Sequence, residues 1–216
     1  VTQLPDFASN HLPDDAADTV ADRVNDLFRM LRANKLTPPP IAIATAYINP
    51  AGFALLADEL ETAPRVRLLL GAEPDAESVR VVAAGDADQD ARRTTALDVH
   101  EAWLQAERDT MGFERIPTAD ARRMVAWLQS VDTDGAARVE VRRYTGGFLH
   151  GKAYLVEDAA TQAALAGSSN MTYAGLALNA ELNLGTGGGT ASAGKVRAWF
   201  EHFWTLSDPY DLAGLY

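Results

Sequence analysis

The sequence contains no cysteine and only three lysines, Lys35, Lys152 and Lys195, among its 216 residues. Without cysteine the chain can form no disulfide, no thiolate nucleophile and no cysteine-ligated zinc site. Nothing in the composition calls for an oxidising compartment, so we expect a cytoplasmic protein.

Long apolar runs are also absent. The longest, such as Ile41–Ile48 and Val66–Leu70, have the length of buried strands and are too short to span a membrane. The N-terminal stretch Val1–Leu12 has neither a basic segment nor an apolar core, so no signal peptide is visible. We therefore expect a soluble protein without a membrane partner.

Positive charge is scarce. Lysine and arginine number 19 against 30 aspartates and glutamates, which gives a net charge of -11. Nucleic-acid binding favours a basic surface, because neutralising phosphates releases their counterions. Any nucleic-acid contact must therefore be local, and we interpret most acidic residues as a solvated surface.

What is present is the composition of one globular domain, with 47% hydrophobic and 23% charged residues, and we treat residues 1–216 as a single domain. Ile41–Tyr47 has the pattern of a buried strand. A helix follows, capped by Asn49 and begun by Pro50, and then a second strand at Val66–Leu70. This order predicts a βαβ unit and a parallel strand pair.

The remaining elements follow from hydrophobic spacing. Further helices are predicted at Asp14–Arg32, Asp90–Thr110, Thr118–Val131 and Ser192–Leu206. Further strands are predicted at Val139–Val141, Phe148–Val156, Ala163–Ser168 and Glu181–Leu184. The expected fold is α/β, an α/β/α sandwich around a central mixed, partly parallel sheet of about six to seven strands.

Five polar residues in the second half of the chain are the candidate site residues: His150, Lys152, Ser168, Asn170 and Glu181. In a strand, His150 and Lys152 would point to the same face and share a ligand. Each member alone has a structural explanation, as a core histidine, a turn or a solvated strand residue. Their joint spacing is what favours function.

The order His-x-Lys, Gly-Ser-x-Asn and then a carboxylate on the following strand resembles the HKD signature of the phospholipase D superfamily. The resemblance covers Phe148–Asn183 directly. It departs at one position, because the family usually places an aspartate five residues after the lysine, where this chain has Glu157. The resemblance implies that this acid is structural rather than reacting.

The resemblance implies a phosphodiesterase, and the chemistry of the residues agrees. His150 would attack phosphorus and form a phosphohistidine, which splits one difficult displacement into two easier ones. Lys152 and Asn170 would donate hydrogen bonds to the non-bridging oxygens. Glu181 would hold the other ring nitrogen of His150, and Ser168 would support the phosphate or Lys152. No metal or cofactor is required.

Two arginines are candidates for substrate binding. Arg142 and Arg143 precede the motif strand and would supply a local positive patch; an exposed strand end is the alternative, and both stay open. Four tryptophans lie on predicted helices and are interpreted as packing anchors rather than base-stacking platforms: Trp103, Trp127, Trp199 and Trp204.

The superfamily reaction needs a second histidine to protonate the leaving oxygen, and this chain has one His-x-Lys motif. The resemblance to single-motif nucleases implies a homodimer in which two copies of His150 face each other. We therefore expect a metal-independent nuclease, with DNA preferred to RNA. Two alternatives stay open: a non-catalytic DNA-binding module that keeps the phosphate pocket, and a phospholipid-processing enzyme.

Two segments, Ile43–Asn49 and Ser168–Leu176, are similar to the phospholipase D-like modules found ahead of Swi/Snf-type helicases. The similarity implies that the chain could be the N-terminal piece of a longer DNA-processing protein with a helicase domain. Restriction or phage defence is the role we expect for such a protein.

Overall fold

The computed structural model describes residues 4–10, 19–33, 38–71, 115–147, 149–157, 163–187 and 190–216. The strands are β1 (Phe7–Ala8), β2 (Ile41–Thr45), β3 (Val66–Leu70), β4 (Val139–Arg143), β5 (Lys152–Val156), β6 (Ala163–Gly167), β7 (Asn183–Thr186) and β8 (Asp208–Pro209). The helices are α1 (Val20–Ala33), α2 (Pro50–Leu60), α3 (Arg115–Leu128), α4 (Ala191–Thr205) and α5 (Leu212–Leu215), with a π-helical turn at Ala174–Leu178. The predicted helix Asp90–Thr110 lies outside the described residues.

The strands form one mixed sheet in the order β1-β7-β6-β5-β2-β3-β4-β8. The pairs β2–β3 and β3–β4 are parallel and the other pairs are antiparallel. The predicted βαβ unit is confirmed, and so is its helix start. The Asn49 side chain accepts a hydrogen bond of 2.8 Å from the Gly52 amide, and Pro50 occupies the first helical position.

The sandwich class is confirmed, but the predicted count of about six to seven strands was too low: the described residues form a sheet of eight. The two-residue strands β1 and β8 account for the difference, since each pairs with a neighbour at one edge of the sheet. A strand of only two residues is too short to show an alternation of apolar and polar positions, so hydrophobic patterning could not reveal β1 and β8.

The larger core lies on the face of the sheet covered by α1, α2 and α3. Large side chains of the central strands, including Ile43, Leu68 and Tyr154, are completely buried there. Phe53 of α2 packs against Trp127 of α3 with ring centroids 4.9 Å apart. Among the described residues, this face therefore contributes most of the apolar burial that stabilises the fold.

The opposite face is lined mainly by small side chains. Ala42 and Ala44 of β2 pack with Ala153 of β5 and Ala164 of β6 beneath Phe200 of α4. Because alanine extends only one carbon from the backbone, α4 lies close to the sheet on this face. No described helix is both long enough and apolar enough to cross a lipid bilayer.

Candidate active site

The predicted site residues lie where neighbouring strands end at one edge of the sheet. Lys152 begins β5 and pairs with Gly167 at the end of β6, which in turn pairs with Asn183 at the start of β7. On the other side of β5, strand β2 ends at Thr45. His150, Ser168 and Glu181 each stand one or two residues beyond these strand ends, so the chain brings the predicted set to one edge.

The prediction of a strand is confirmed for Lys152, but it was wrong for His150 and Gly151, because β5 begins only at Lys152. The ladder with β2 ends near this point, so the chain before Lys152 has left the sheet. The two side chains consequently differ in environment: His150 is exposed, whereas Lys152 is 3% exposed. Removed from bulk water, the Lys152 ammonium exerts a stronger local field than a surface lysine would.

Ser168 and Glu181 are in direct contact. The Ser168 hydroxyl donates a short hydrogen bond to the Glu181 carboxylate and accepts one of 3.1 Å from the Leu182 amide. Glu181 thus stands just before β7, rather than within the strand predicted to begin there. Its role as the partner of the His150 ring stays a prediction, and the contact with Ser168 adds a hydroxyl that orients the carboxylate.

The Asn170 side chain joins the loop after β6 to the end of β2. Its amide oxygen accepts hydrogen bonds from the backbone N–H groups of Ala46 at 3.1 Å and Tyr47 at 3.2 Å. These donors identify which end of the amide is the oxygen, so the NH2 group points the opposite way. The donor end is therefore oriented by two backbone contacts.

The loop Ser168–Met171 is held by three residues that the sequence analysis did not single out. The Met171 amide donates to the Thr45 hydroxyl at 2.9 Å. The side-chain NH2 group of Asn183 donates to the Ser169 hydroxyl at 2.6 Å. The Tyr154 hydroxyl donates to the backbone carbonyl of Ser169 at 3.1 Å. Polar residues at the ends of otherwise apolar strands were the available signal for Thr45 and Asn183.

Tyr154 lies completely buried beneath this loop. Burial raises the pKa of its hydroxyl well above the usual range, and the negative charge of Glu181 raises it further. The hydroxyl therefore stays protonated and keeps donating to the loop. Gly175 also packs closely, because a Cβ there would lie 2.5 Å from the Asn170 carbonyl oxygen. The Tyr154 hydrogen bond and the close approach of Gly175 therefore both constrain the loop.

Glu157, at the position of the family's usual aspartate, lies at the other end of β5. It is five residues beyond Lys152, or about 17 Å along an extended strand, so it cannot contact a group that binds at Lys152. Instead it accepts a hydrogen bond of 3.0 Å from Nε of Arg67, a residue of β3. The Arg67 side chain reaches across β2, where Ala42 pairs with Arg67 on one side and with Leu155, two residues before Glu157, on the other.

Arg67 also binds Glu201 of α4 at 3.0 Å, and its guanidinium lies 4.9 Å from the Phe200 ring centroid. Burial alone would lower the pKa of Arg67, but hydrogen bonds to Glu201 and Glu157 outweigh burial and raise it. The Arg67 hydrogen bond in turn lowers the pKa of Glu201. We call Arg67, Glu157 and Glu201 the arginine cluster.

Arg142 and Arg143 end β4 at the same edge as the site, but three strand spacings from β5, or about 14 Å. Arg142 pairs with Glu140 at 2.9 Å and lies over the Trp204 ring. Arg143 is 7% exposed and lies over the Tyr210 ring. Both have structural contacts, and their role in substrate binding stays a prediction. Among the described residues, no group of three or more histidines and acids could hold a metal ion.

Comparison with known proteins agrees with the motif. A family model described as "Cardiolipin synthase, PLD-like domain" matches residues 40–204, which is more than half of the chain. The chain belongs to the phospholipase D superfamily. No curated protein matches it in sequence.

Among solved structures, one match is NucT from Helicobacter pylori. The match covers 94% of the phospholipase D-like chain and 97% of the NucT chain. The two are 11% identical and superpose with a TM-score of 0.50. At that identity the likeness shows a shared fold, and residue roles must come from the site itself.

Proposed function

We propose that this phospholipase D-like domain is a metal-independent nuclease that cleaves a phosphodiester through a phosphohistidine at His150. The observation that carries the proposal is the convergence of separate strand ends on one edge of the sheet. There an exposed histidine adjoins a buried lysine, and an oriented amide donor and a serine-bound carboxylate lie on the neighbouring strand ends.

In the first step, a neutral ring nitrogen of His150 attacks phosphorus and the bond to the leaving oxygen breaks. Lys152 and the NH2 group of Asn170 donate to the non-bridging oxygens, where negative charge accumulates. Glu181 accepts a hydrogen bond from the other ring nitrogen and stabilises the positive charge that the ring acquires. Water then attacks the phosphohistidine and restores His150.

The leaving oxygen needs a proton in the first step, and the attacking water must lose one in the second. One histidine cannot be nucleophile and acid at once, and the motif occurs once in this chain. His150 of a second copy would fill the acid and base roles across a two-fold axis. We therefore propose a homodimer that forms at least on substrate.

The substrate we favour is DNA, and the context we favour is a longer protein in which a helicase domain serves restriction or phage defence. Support for this wider role is the similarity of Ile43–Asn49 and Ser168–Leu176 to helicase-associated modules. This proposal predicts that adding the helicase domain of the longer protein changes the rate at which the isolated phospholipase D-like domain cleaves DNA.

The test is cleavage of labelled single- and double-stranded DNA and RNA by the wild-type domain in the presence of a chelator. His150→Ala should abolish cleavage while circular dichroism and the melting temperature stay close to wild type, because an exposed side chain leaves no core cavity. His202→Ala is the matched control, since His202 is an exposed histidine on α4. Cleavage by His150→Ala at the wild-type rate would refute the proposal.

The same preparations separate the alternatives. Tight DNA binding without cleavage would identify a non-catalytic binding module. The description of the matching family model names cardiolipin synthase. Headgroup release from phosphatidylcholine or cardiolipin vesicles should therefore be measured as well. Headgroup release without nuclease activity would identify a phospholipid-processing enzyme.

A further inference from the structure

Three buried polar side chains stand in a row across the edge of the sheet that carries the proposed site. They are Thr45 at the end of β2, Lys152 at the start of β5 and Asn183 at the start of β7. The register places Lys152 opposite Gly167 of β6, and Gly167 opposite Asn183. The pleat turns all three side chains toward the larger core rather than toward α4. Along this row Lys152 lies between Thr45 and Asn183.

The Thr45 hydroxyl makes one hydrogen bond as a donor and one as an acceptor. It donates to the Tyr47 carbonyl at 2.7 Å and accepts from the Met171 backbone N–H at 2.9 Å. The Asn170 side-chain oxygen lies at 3.3 Å, which is longer than an ordinary O–H···O hydrogen bond, so the single proton goes to the carbonyl. The hydroxyl therefore joins the turn after β2 to the loop after β6.

These contacts close a ring that passes through Asn170. The Tyr47 backbone N–H donates to the Asn170 side-chain oxygen at 3.2 Å, and the Tyr47 carbonyl accepts from Thr45. Thr45 in turn accepts from Met171, the residue that follows Asn170 in the chain. The ring thus holds Asn170 at two points, its side-chain oxygen and the backbone after it. Without the Thr45 hydroxyl, the turn that binds the oxygen is no longer tied to the loop that carries the residue.

We propose that Thr45 is a positioning residue of the site: its hydroxyl fixes the turn after β2 against the loop after β6, so that the NH2 group of Asn170 faces the reacting phosphate. The inference rests on the proposed function, in which that NH2 group donates to a non-bridging oxygen. A donor stabilises a transition state only when its own position is held by surrounding contacts. Thr45 is buried and does not reach substrate itself. Its effect on the reaction therefore passes through Asn170.

The test compares variants that differ in the hydroxyl. Thr45→Val removes it and keeps the shape of the side chain, Thr45→Ala also removes it, and Thr45→Ser keeps it. The Asn49 backbone N–H donates to the Met171 carbonyl at 3.2 Å, so turn and loop stay joined without the hydroxyl and the variants should fold. Ser207→Ala is the matched control, because Ser207 is another buried hydroxyl, which donates to the Phe203 carbonyl at 2.7 Å.

The first measurement needs no activity. In proton–nitrogen NMR spectra the side-chain NH2 group of Asn170 gives a pair of signals, which is assigned by its loss in Asn170→Asp. Thr45→Val and Thr45→Ala should shift or broaden this pair, because the surroundings of the amide are no longer fixed. Thr45→Ser and Ser207→Ala should leave it close to its wild-type position. An unchanged pair in both variants without the hydroxyl would overturn the positioning role, even where the wild-type domain cleaves DNA.

The second measurement is a double-mutant cycle on the rate of DNA cleavage with chelator. Thr45→Val should lower the rate at saturating DNA by about tenfold and leave KM nearly unchanged, since the donor is misplaced rather than lost. Thr45→Ser should recover most of the rate. In an Asn170→Ala background, Thr45→Val should change the rate by less than about twofold, because no donor is left to position.

The two measurements fail separately. A tenfold loss that persists in the Asn170→Ala background would show that Thr45 acts on the fold as a whole, and it would overturn the proposal. If the wild-type domain cleaves no DNA, a displaced Asn170 signal in Thr45→Val still supports the positioning role, and only the nuclease activity is refuted. Melting temperatures of all variants show that the folded population is compared in each case.

Discussion

The two ends of β5 carry different parts of one motif. At the start of the strand, Lys152 is buried beside the exposed His150, and the loop Ser168–Met171 is held by several hydrogen bonds to neighbouring strand ends. At the far end, Glu157 belongs to the arginine cluster, which ties β3, β5 and α4 together. One sequence signature therefore places the residues proposed for catalysis at one end of β5 and a structural ion-pair cluster at the other.

The largest effect is expected at the site edge, from Asn170→Asp. Aspartate keeps an oxygen that accepts from Ala46 and Tyr47, but it loses the NH2 donor and adds negative charge near the phosphate. Cleavage should fall by roughly a hundredfold or more, the scale for one lost transition-state donor. Rate measurements beside thermal melts check this. Asn170→Ala is the control, because it should lower the rate and also the stability, by about 1–3 kcal/mol for the unpaired amides.

A smaller loss, in stability rather than turnover, is expected from Arg67→Met. The change leaves Glu157 and Glu201 facing each other without their cation and should cost about 3 kcal/mol of unfolding free energy. Urea titration measures it. The rate per folded molecule should stay near wild type, and a second change, Glu157→Gln, should restore part of the lost stability. A hundredfold fall in the cleavage rate of folded Arg67→Met would contradict the separate roles assigned to the two ends of β5.

Glu157→Asp introduces the acid that the family usually has at this position. The side chain becomes one methylene shorter, so it reaches less well over Ala42 to Arg67. We expect a loss of about 1 kcal/mol, the scale of one hydrogen bond, with unchanged cleavage. If urea titration gave the same stability as wild type, aspartate at position 157 would bind Arg67 as well as glutamate does.

The smallest effect is a pH dependence from Glu201. Its hydrogen bond to Arg67 lowers the pKa of the carboxyl in the folded state. The stabilisation is therefore present above the unfolded pKa of about 4.3, and it is lost as pH falls through the lower folded pKa. Because this side chain is 40% exposed, the contribution should stay below about 1 kcal/mol. The difference in melting temperature between wild type and Glu201→Gln should shrink below about pH 4; a constant difference would contradict it.

The sequence predicted the mixed sandwich and the Asn49 cap, because these follow from spacing within short segments. The structure brings the five polar residues to neighbouring strand ends, and their role in catalysis stays a prediction. It did not predict that His150 stands outside β5, since periodicity does not show where a neighbouring strand ends. The support of Ser169 by Asn183, and the reach of Arg67 to Glu201 across 134 positions, are long-range contacts. Such contacts arise only after the strands are ordered in the sheet.

The most direct test of the central claim is to trap the covalent intermediate. Wild-type protein mixed with labelled DNA and chelator, then denatured in alkali, should carry a nucleotide phosphate on His150, visible by intact mass and by peptide mapping. His202→Ala should carry the same adduct and His150→Ala should carry none. Cleavage that proceeds at the wild-type rate with no adduct, or with an adduct on another residue, would contradict the account.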